Sequence, residues 1–210
     1  MPAMSVVSPR RTQVERSANT RRKLASAAFD LIQNDGFANF RVAFVAKEAG
    51  VSQGGQLHHF PTKDEMTLAA IEYGLELALI RTKTNLAAFR ANEDVITAIS
   101  EDCRDYYFSP SFDVALDVIK GSASKKQLRE QIAKAHREYR KIAEDDWHKL
   151  LINRGWSKPD ASDLIEMTAS LVRGFAIRAM IRPNEKQVTR LMNRWKQMVQ
   201  LSFQKSGKLS

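Results

Sequence analysis

The residues of this chain able to do covalent or metal chemistry stand apart from one another. The four histidines are His58, His59, His136 and His148, and the one cysteine is Cys103. His58 and His59 are adjacent, so on a helix they point about 100° apart and cannot clasp one metal ion from the same helical face. No nucleophile has a base at a telling interval, no metal-ligand spacing is present, and no glycine-rich loop suits a phosphate. The residues offer no footing for a cofactor or for enzymatic turnover. What they offer is recognition chemistry. Ser52 is a good N-cap, so a helix should begin at Gln53. A glutamine amide at that exposed tip can pair bidentately with N6 and N7 of adenine in the major groove. Leu57 lies one turn later on the same face and can press a thymine methyl. Gly54 and Gly55 fall in the first turn, where each costs roughly 1 kcal/mol relative to alanine. Two together suit a close approach of backbone to phosphate or base edge better than they suit stability.

The elements that must hold these groups are short. Residues 42–66, VAFVAKEAGVSQGGQLHHFPTKDEM, read as a helix, a tight turn, a second helix and a restart. Gly50 supplies the turn, and the small Ala46 and Ala49 let the two helices cross closely. Pro61 ends the second helix, and Thr62 with Glu65 forms a capping box for the next. Lys63 then stands in a first helical turn. Upstream, Leu24, Ala27, Ala28, Leu31 and Ile32 form one apolar stripe, which predicts a first helix starting near Thr20 and closing at Gly36. That start puts Arg21, Arg22 and Lys23 in a first turn as well. A cation there opposes the helix macrodipole by about 0.3–1 kcal/mol, and a neighbouring phosphate would resolve both conflicts.

The segment Val45-Ala46-Lys47-Glu48-Ala49-Gly50-Val51-Ser52, the run His58-His59-Phe60 and the restart Lys63-Asp64-Glu65-Met66 closely resemble the DNA-binding signature of the TetR family of one-component transcriptional regulators. The resemblance implies an all-α fold: an N-terminal three-helix bundle with a helix-turn-helix, and a larger C-terminal helical bundle for effector binding and dimerisation. It implies a ligand-responsive regulator, most often a repressor, that binds a palindromic operator as a dimer and is released by a small molecule. It puts a base contact at Gln53, a phosphate contact at His59 and a groove-facing group at His58. Leu57 stands where most relatives have tyrosine, so that hydroxyl is lost here. Arg41 replaces the usual Ser or Thr at the start of helix two and can reach the DNA backbone as a fork donor. Gln56 replaces a buried apolar residue; either the recognition helix is rotated slightly, or Gln56 is partly exposed and joins base readout. The candidate DNA contacts are therefore Arg21, Arg22, Arg41, Ser52, Gln53, Gly54, Gly55, Gln56, Leu57, His58, His59 and Lys63. The rival reading is a helical interaction protein that does not bind DNA.

The bulk properties agree with a DNA partner. The 210 residues carry a net charge of +9, which favours polyanions. The surplus is terminal: residues 1–25 hold six basic side chains against one acidic, and residues 182–210 hold seven against one. A lone cysteine, the absence of any apolar run of about 18 residues and the lack of an apolar leader segment fit a cytoplasmic protein. The domains expected are a flexible basic arm over 1–15, a DNA-binding domain over 16–65, and an effector and dimerisation domain over 66–210. Helical stripes and breakers bring the count to about nine helices, with no strand alternation. By the same resemblance, the last two helices pair with those of a second chain through Leu164, Met167, Leu171, Gly174, Phe175, Ile181, Val188, Met192, Trp195 and Val199. Helices four to seven should enclose an effector, with Tyr106, Tyr107, Phe108, Phe112, His136, Tyr139 and Trp147 on their inner faces, and Arg178 on helix eight to suit an anion. The chemical identity of the effector is not legible in these residues.

Overall fold

A computed structural model describes residues 12–90 and 93–204. Among the described residues there are nine α-helices and no strand. They form two compact units that divide between Tyr73 and Gly74, inside the fourth helix.

The first unit begins with α1 (Gln13–Asp35), seven residues upstream of the expected start. Thr12 caps it: its hydroxyl accepts from the Glu15 N–H at 3.2 Å, and Glu15 accepts from the Thr12 N–H at 2.7 Å. The apolar stripe hides this start because it begins only at Leu24, where burial begins. Arg21, Arg22 and Lys23 therefore lie in the middle of α1, so the dipole conflict expected for them does not arise. Residues 13–15 of the expected arm are helical, and residues 1–11 lie outside the described residues. Gly36 (φ 78°) closes α1 with its N–H on the Ile32 carbonyl at 3.0 Å.

Helix α2 (Val42–Glu48) buries Val45 and Ala46 and packs on both α1 and α3. Gly50 (φ 64°) makes the turn in the left-handed region that a Cβ disfavours. Helix α3 (Gln53–His59) starts at Ser52, whose hydroxyl accepts from the Gly55 N–H at 3.1 Å. Helix α4 (Lys63–Ala88) opens with the expected capping box, Glu65 N–H to Thr62 and Thr62 N–H to Glu65, both at 3.1 Å. Leu24, Ala28, Val45, Phe60, Met66 and Ala70 are almost wholly buried. Each large apolar side chain among them contributes about 1.5–3 kcal/mol.

In the second unit, α5 (Val95–Tyr107) is capped by Asp94, which accepts from the N–H groups of Ile96 and Thr97 at 3.2 Å each. Pro110 follows the end of this helix by three residues. It opens α6 (Pro110–Gly121) at the first position, where its missing N–H costs nothing. Helices α7 (Lys126–Asn153), α8 (Lys158–Ile181) and α9 (Glu185–Gln204) follow. The buried face of α5, with Ile96, Ile99 and Tyr107, packs most extensively on α8.

The last two helices divide the expected interface residues into two groups. Leu164, Phe175, Val188 and Val199 are buried within their own chain. They are interior side chains with almost no surface to offer a second copy, and the sequence could not separate the two faces of an apolar-rich helix. Trp195 donates its indole N–H to Thr168 Oγ1 at 3.1 Å. Leu171, Met192 and Trp195 are half-buried. Met167 and Ile181 are exposed, and Gly174 faces open space with no atom within 4 Å of where a Cβ would lie. Ile177, Met180, Met198 and Leu201, which the periodicity did not single out, are exposed as well.

Candidate nucleic-acid interface and effector cavity

Helix α3 has a clean division of faces. Ser52, Gln53, Gly54, Leu57 and His58 are exposed, Leu57 by 54%, whereas Gln56 and Phe60 are buried. Gln53 and Leu57, four residues apart, share the outer stripe. Gln56 is 3% exposed, and its Nε2 donates to the Phe60 carbonyl at 2.9 Å. The open question about Gln56 is thereby answered: it faces inward and is removed from the groups available to a base edge. It closes the end of α3, where Pro61 brings no N–H to continue the backbone ladder. The two glycines also differ. A Cβ on Gly55 would meet Ser52 Oγ and Val51 Cγ1 at 3.1 Å, while one on Gly54 meets nothing within 4 Å. Gly55 thus has a packing reason that the sequence did not show, and only Gly54 leaves the outer surface thin.

The cations around α3 have structural partners. Arg21 Nη1 donates to the His59 carbonyl at 3.2 Å, and its guanidinium lies 4.3 Å from the centre of the Phe60 ring. The Arg22 guanidinium lies 5.3 Å from the Tyr73 ring. Arg41 Nη1 donates to the Ala38 and Phe40 carbonyls at 2.9 and 3.1 Å. Lys63 Nζ donates to the same Phe40 carbonyl at 2.8 Å and sits 5.0 and 5.4 Å from the Phe37 and Phe40 rings. Lys63 is therefore answered by a carbonyl and two ring faces, not left waiting for a phosphate. A guanidinium carries five N–H donors, and the contacts described for Arg21 and Arg41 engage only part of each.

His58 and His59 stack, with ring centres 5.4 Å apart and planes 19° apart. Partial burial, then the His58 and Arg21 charges, lower the His59 pKa. The shift favours the neutral imidazole in the free protein. Phe44 on α2, 57% exposed, is a surface residue the sequence reading missed. The signal available was an aromatic on the face of α2 opposite the buried Val45–Ala46 pair.

The second unit holds a cavity of about 40 Å³ between α4, α5, α7 and α8, lined by Leu75, Leu79, Thr82, Ile99, Asp102, Cys103, Tyr106, Tyr139, Arg140, Glu144, Trp147 and Ile165 among others. Of the expected effector residues, Tyr106, Tyr139 and Trp147 line it. The other five do not. Tyr107 and His136 line a separate, more open groove with Arg137 and Arg173. Phe112 is buried against the Tyr106 and Tyr107 rings at 6.0 and 5.1 Å. Phe108 borders a groove with Val172, Val188 and Met192. The Arg178 guanidinium lies over Phe175 at 5.2 Å.

The polar floor of the cavity is Asp102, which accepts from Asn85 Nδ2 (2.8 Å), Trp147 Nε1 (3.0 Å) and Thr82 Oγ1 (3.1 Å). Burial pushes its carboxyl upward, against the pull of these three donors. Asp102 lies between Ile99 and Tyr106 on the apolar stripe of α5, and a carboxylate on a buried stripe was the signal by which it could have been found. Arg140 pairs with Glu144 one turn away. Among the described residues, no cluster of His, Cys, Asp or Glu could hold a metal, and no helix is long and apolar enough to cross a membrane.

Residues 24–70 match the family described as bacterial regulatory proteins, tetR family. The HTH-type transcriptional regulator CymR of Pseudomonas putida is 36% identical over 184 residues, 88% of this chain and 91% of that one. An uncharacterized HTH-type transcriptional regulator of Mycobacterium tuberculosis is 27% identical over 130 residues, 61% of this chain and 66% of that one. Among solved structures, a transcriptional regulator from Rhodococcus sp. Rha1 superposes with a TM-score of 0.66 at 24% identity, over 87% of this chain and 96% of that one. A TetR transcriptional regulator from Legionella pneumophila gives 0.60 at 15% identity, over 89% and 98%.

Proposed function

Because the chain belongs to the TetR family of helix-turn-helix transcriptional regulators and is not an enzyme, we propose that it is a cytoplasmic, ligand-responsive repressor that binds a palindromic operator as a homodimer. The observation that carries this reading is the outer stripe of α3. Gln53 and Leu57 stand free on a helix that Gln56 and Phe60 anchor from behind, so the helix can enter a major groove with its register fixed. Arg21, Arg22 and Arg41 supply sequence-independent attraction to phosphate, while Gln53, Leu57 and His58 choose the base pairs. One such helix reads few base pairs, so two copies on paired half-sites are needed. The exposed apolar residues of α8 and α9 support that pairing.

The cavity of the second unit is the effector site in this reading. About 40 Å³ holds only two or three waters, so a ligand must part the helices around it. A molecule that binds only the widened state shifts the protein toward it, and release from DNA follows if that state holds the operator less well. The test is competition binding to the DNA flanking the protein's own coding region, against random DNA at matched salt. Sequence-selective binding is expected, and Gln53→Ala should lower the preference for cognate over random DNA about tenfold, the worth of one good base contact. An unchanged ratio would remove Gln53 from readout, and no selective binding by the wild-type protein would overturn the repressor reading.

A further inference from the structure

The lining of the cavity restricts what it can hold, given the reading of that cavity as the effector site. Tyr106 is 9% exposed, and its Oη is fully buried with no hydrogen-bond partner among the described residues. Such a hydroxyl is costly to leave bare, and it is a donor and an acceptor at once. The charged groups present the opposite picture. Asp102 has both oxygens engaged, by Asn85, Trp147 and Thr82. Arg140 and Glu144 neutralise each other. Burial pushes the Cys103 thiol up to about 12, so it carries no charge. An anionic ligand would meet two carboxylates and one guanidinium already committed. A cationic ligand would meet Asp102 with both oxygens engaged and Glu144 already paired with Arg140. Either charge would also lose its hydration on entering an otherwise apolar space.

We propose that this cavity takes an uncharged, mostly apolar molecule with one hydrogen-bonding oxygen, and that Tyr106 Oη is the group that reads that oxygen. Arg178, whose guanidinium stacks on Phe175 outside the cavity lining, has no part in it.

The test uses four single-ring probes of near-equal size on the full chain by titration calorimetry at neutral pH: benzyl alcohol, toluene, benzoate and benzylamine. Benzyl alcohol should bind about fivefold more tightly than toluene, the worth of one buried hydrogen bond, and about tenfold or more above the two ions. Tyr106→Phe should bring benzyl alcohol level with toluene and leave toluene unchanged, which also shows that the cavity is intact. If that variant does not fold, the order of the four probes on the wild-type protein decides alone. Benzoate or benzylamine binding most tightly would overturn the uncharged class while leaving the cavity as a ligand site. A benzyl alcohol preference that survives in Tyr106→Phe would overturn the role of the hydroxyl. No heat from any probe at millimolar concentration would overturn the cavity as an effector site, and the proposal with it.

Discussion

Gln56 shows what one side chain can do in place of another. An amide at this inward position is satisfied by the Phe60 carbonyl, and a net gain of about 0.5–1.5 kcal/mol is usual for such a bond. Gln56→Met keeps the length and removes the donor. It should lower unfolding free energy by about 1–3 kcal/mol, since a buried carbonyl is left unpaired, and leave the base preference of the protein untouched. Urea denaturation and operator competition on the same variant check both halves; a changed base preference would return Gln56 to the readout face. The sequence located this residue as atypical but could not orient it. Its partner lies only four residues away, yet the choice between water and that carbonyl depends on how closely α1 and α2 cover the helix. The same reason hid the engagement of Arg21 and Lys63, whose carbonyl partners lie 38 and 23 residues off in sequence.

Local chemistry was legible at the level of elements. The caps at Ser52 and Thr62, the turn at Gly50 and the break at Pro61 are short-range events, and each falls where the residue types place it. The start of α1 escaped because an amphipathic stripe reports where burial begins, not where hydrogen bonding begins. The paired glycines of α3 separate in their consequences. Gly54→Ala adds a methyl to open space and should stabilise the first unit by up to about 1 kcal/mol. If Gly54 is there for close approach to DNA, the same change weakens operator binding, so stability and affinity move in opposite directions. Gly55→Ala must push Ser52 Oγ or Val51 Cγ1 aside and should gain less stability or lose some. Thermal melts with parallel anisotropy titrations measure all of these. Affinity unchanged in Gly54→Ala would make that glycine a neutral feature of the helix.

For the whole molecule, the strongest constraint is unburied apolar surface. Met167, Ile177, Met180, Ile181, Met198 and Leu201 are all exposed by 42% or more on α8 and α9, which a monomer in water has little reason to keep. Ile177→Glu should leave the chain folded, because the side chain already reaches solvent, and convert a dimer to the 23.8 kDa monomer in sedimentation at micromolar concentration. A wild-type protein that sediments as a monomer under the same conditions would end the case for pairing.

The side chains that follow the capped start of α4 bear on how the protein can be cut. Met66, Ala69 and Ala70 are buried, and the Tyr73 ring meets Phe29 edge-on at 5.7 Å and carries the Arg22 guanidinium. A fragment that stopped at residue 65 would keep every group proposed to touch DNA and lose one wall of the interior behind them. The reading head is therefore not a detachable cassette. The first compact unit ends after Tyr73, so a fragment cut there keeps the Phe29, Arg22 and Tyr73 contacts within itself.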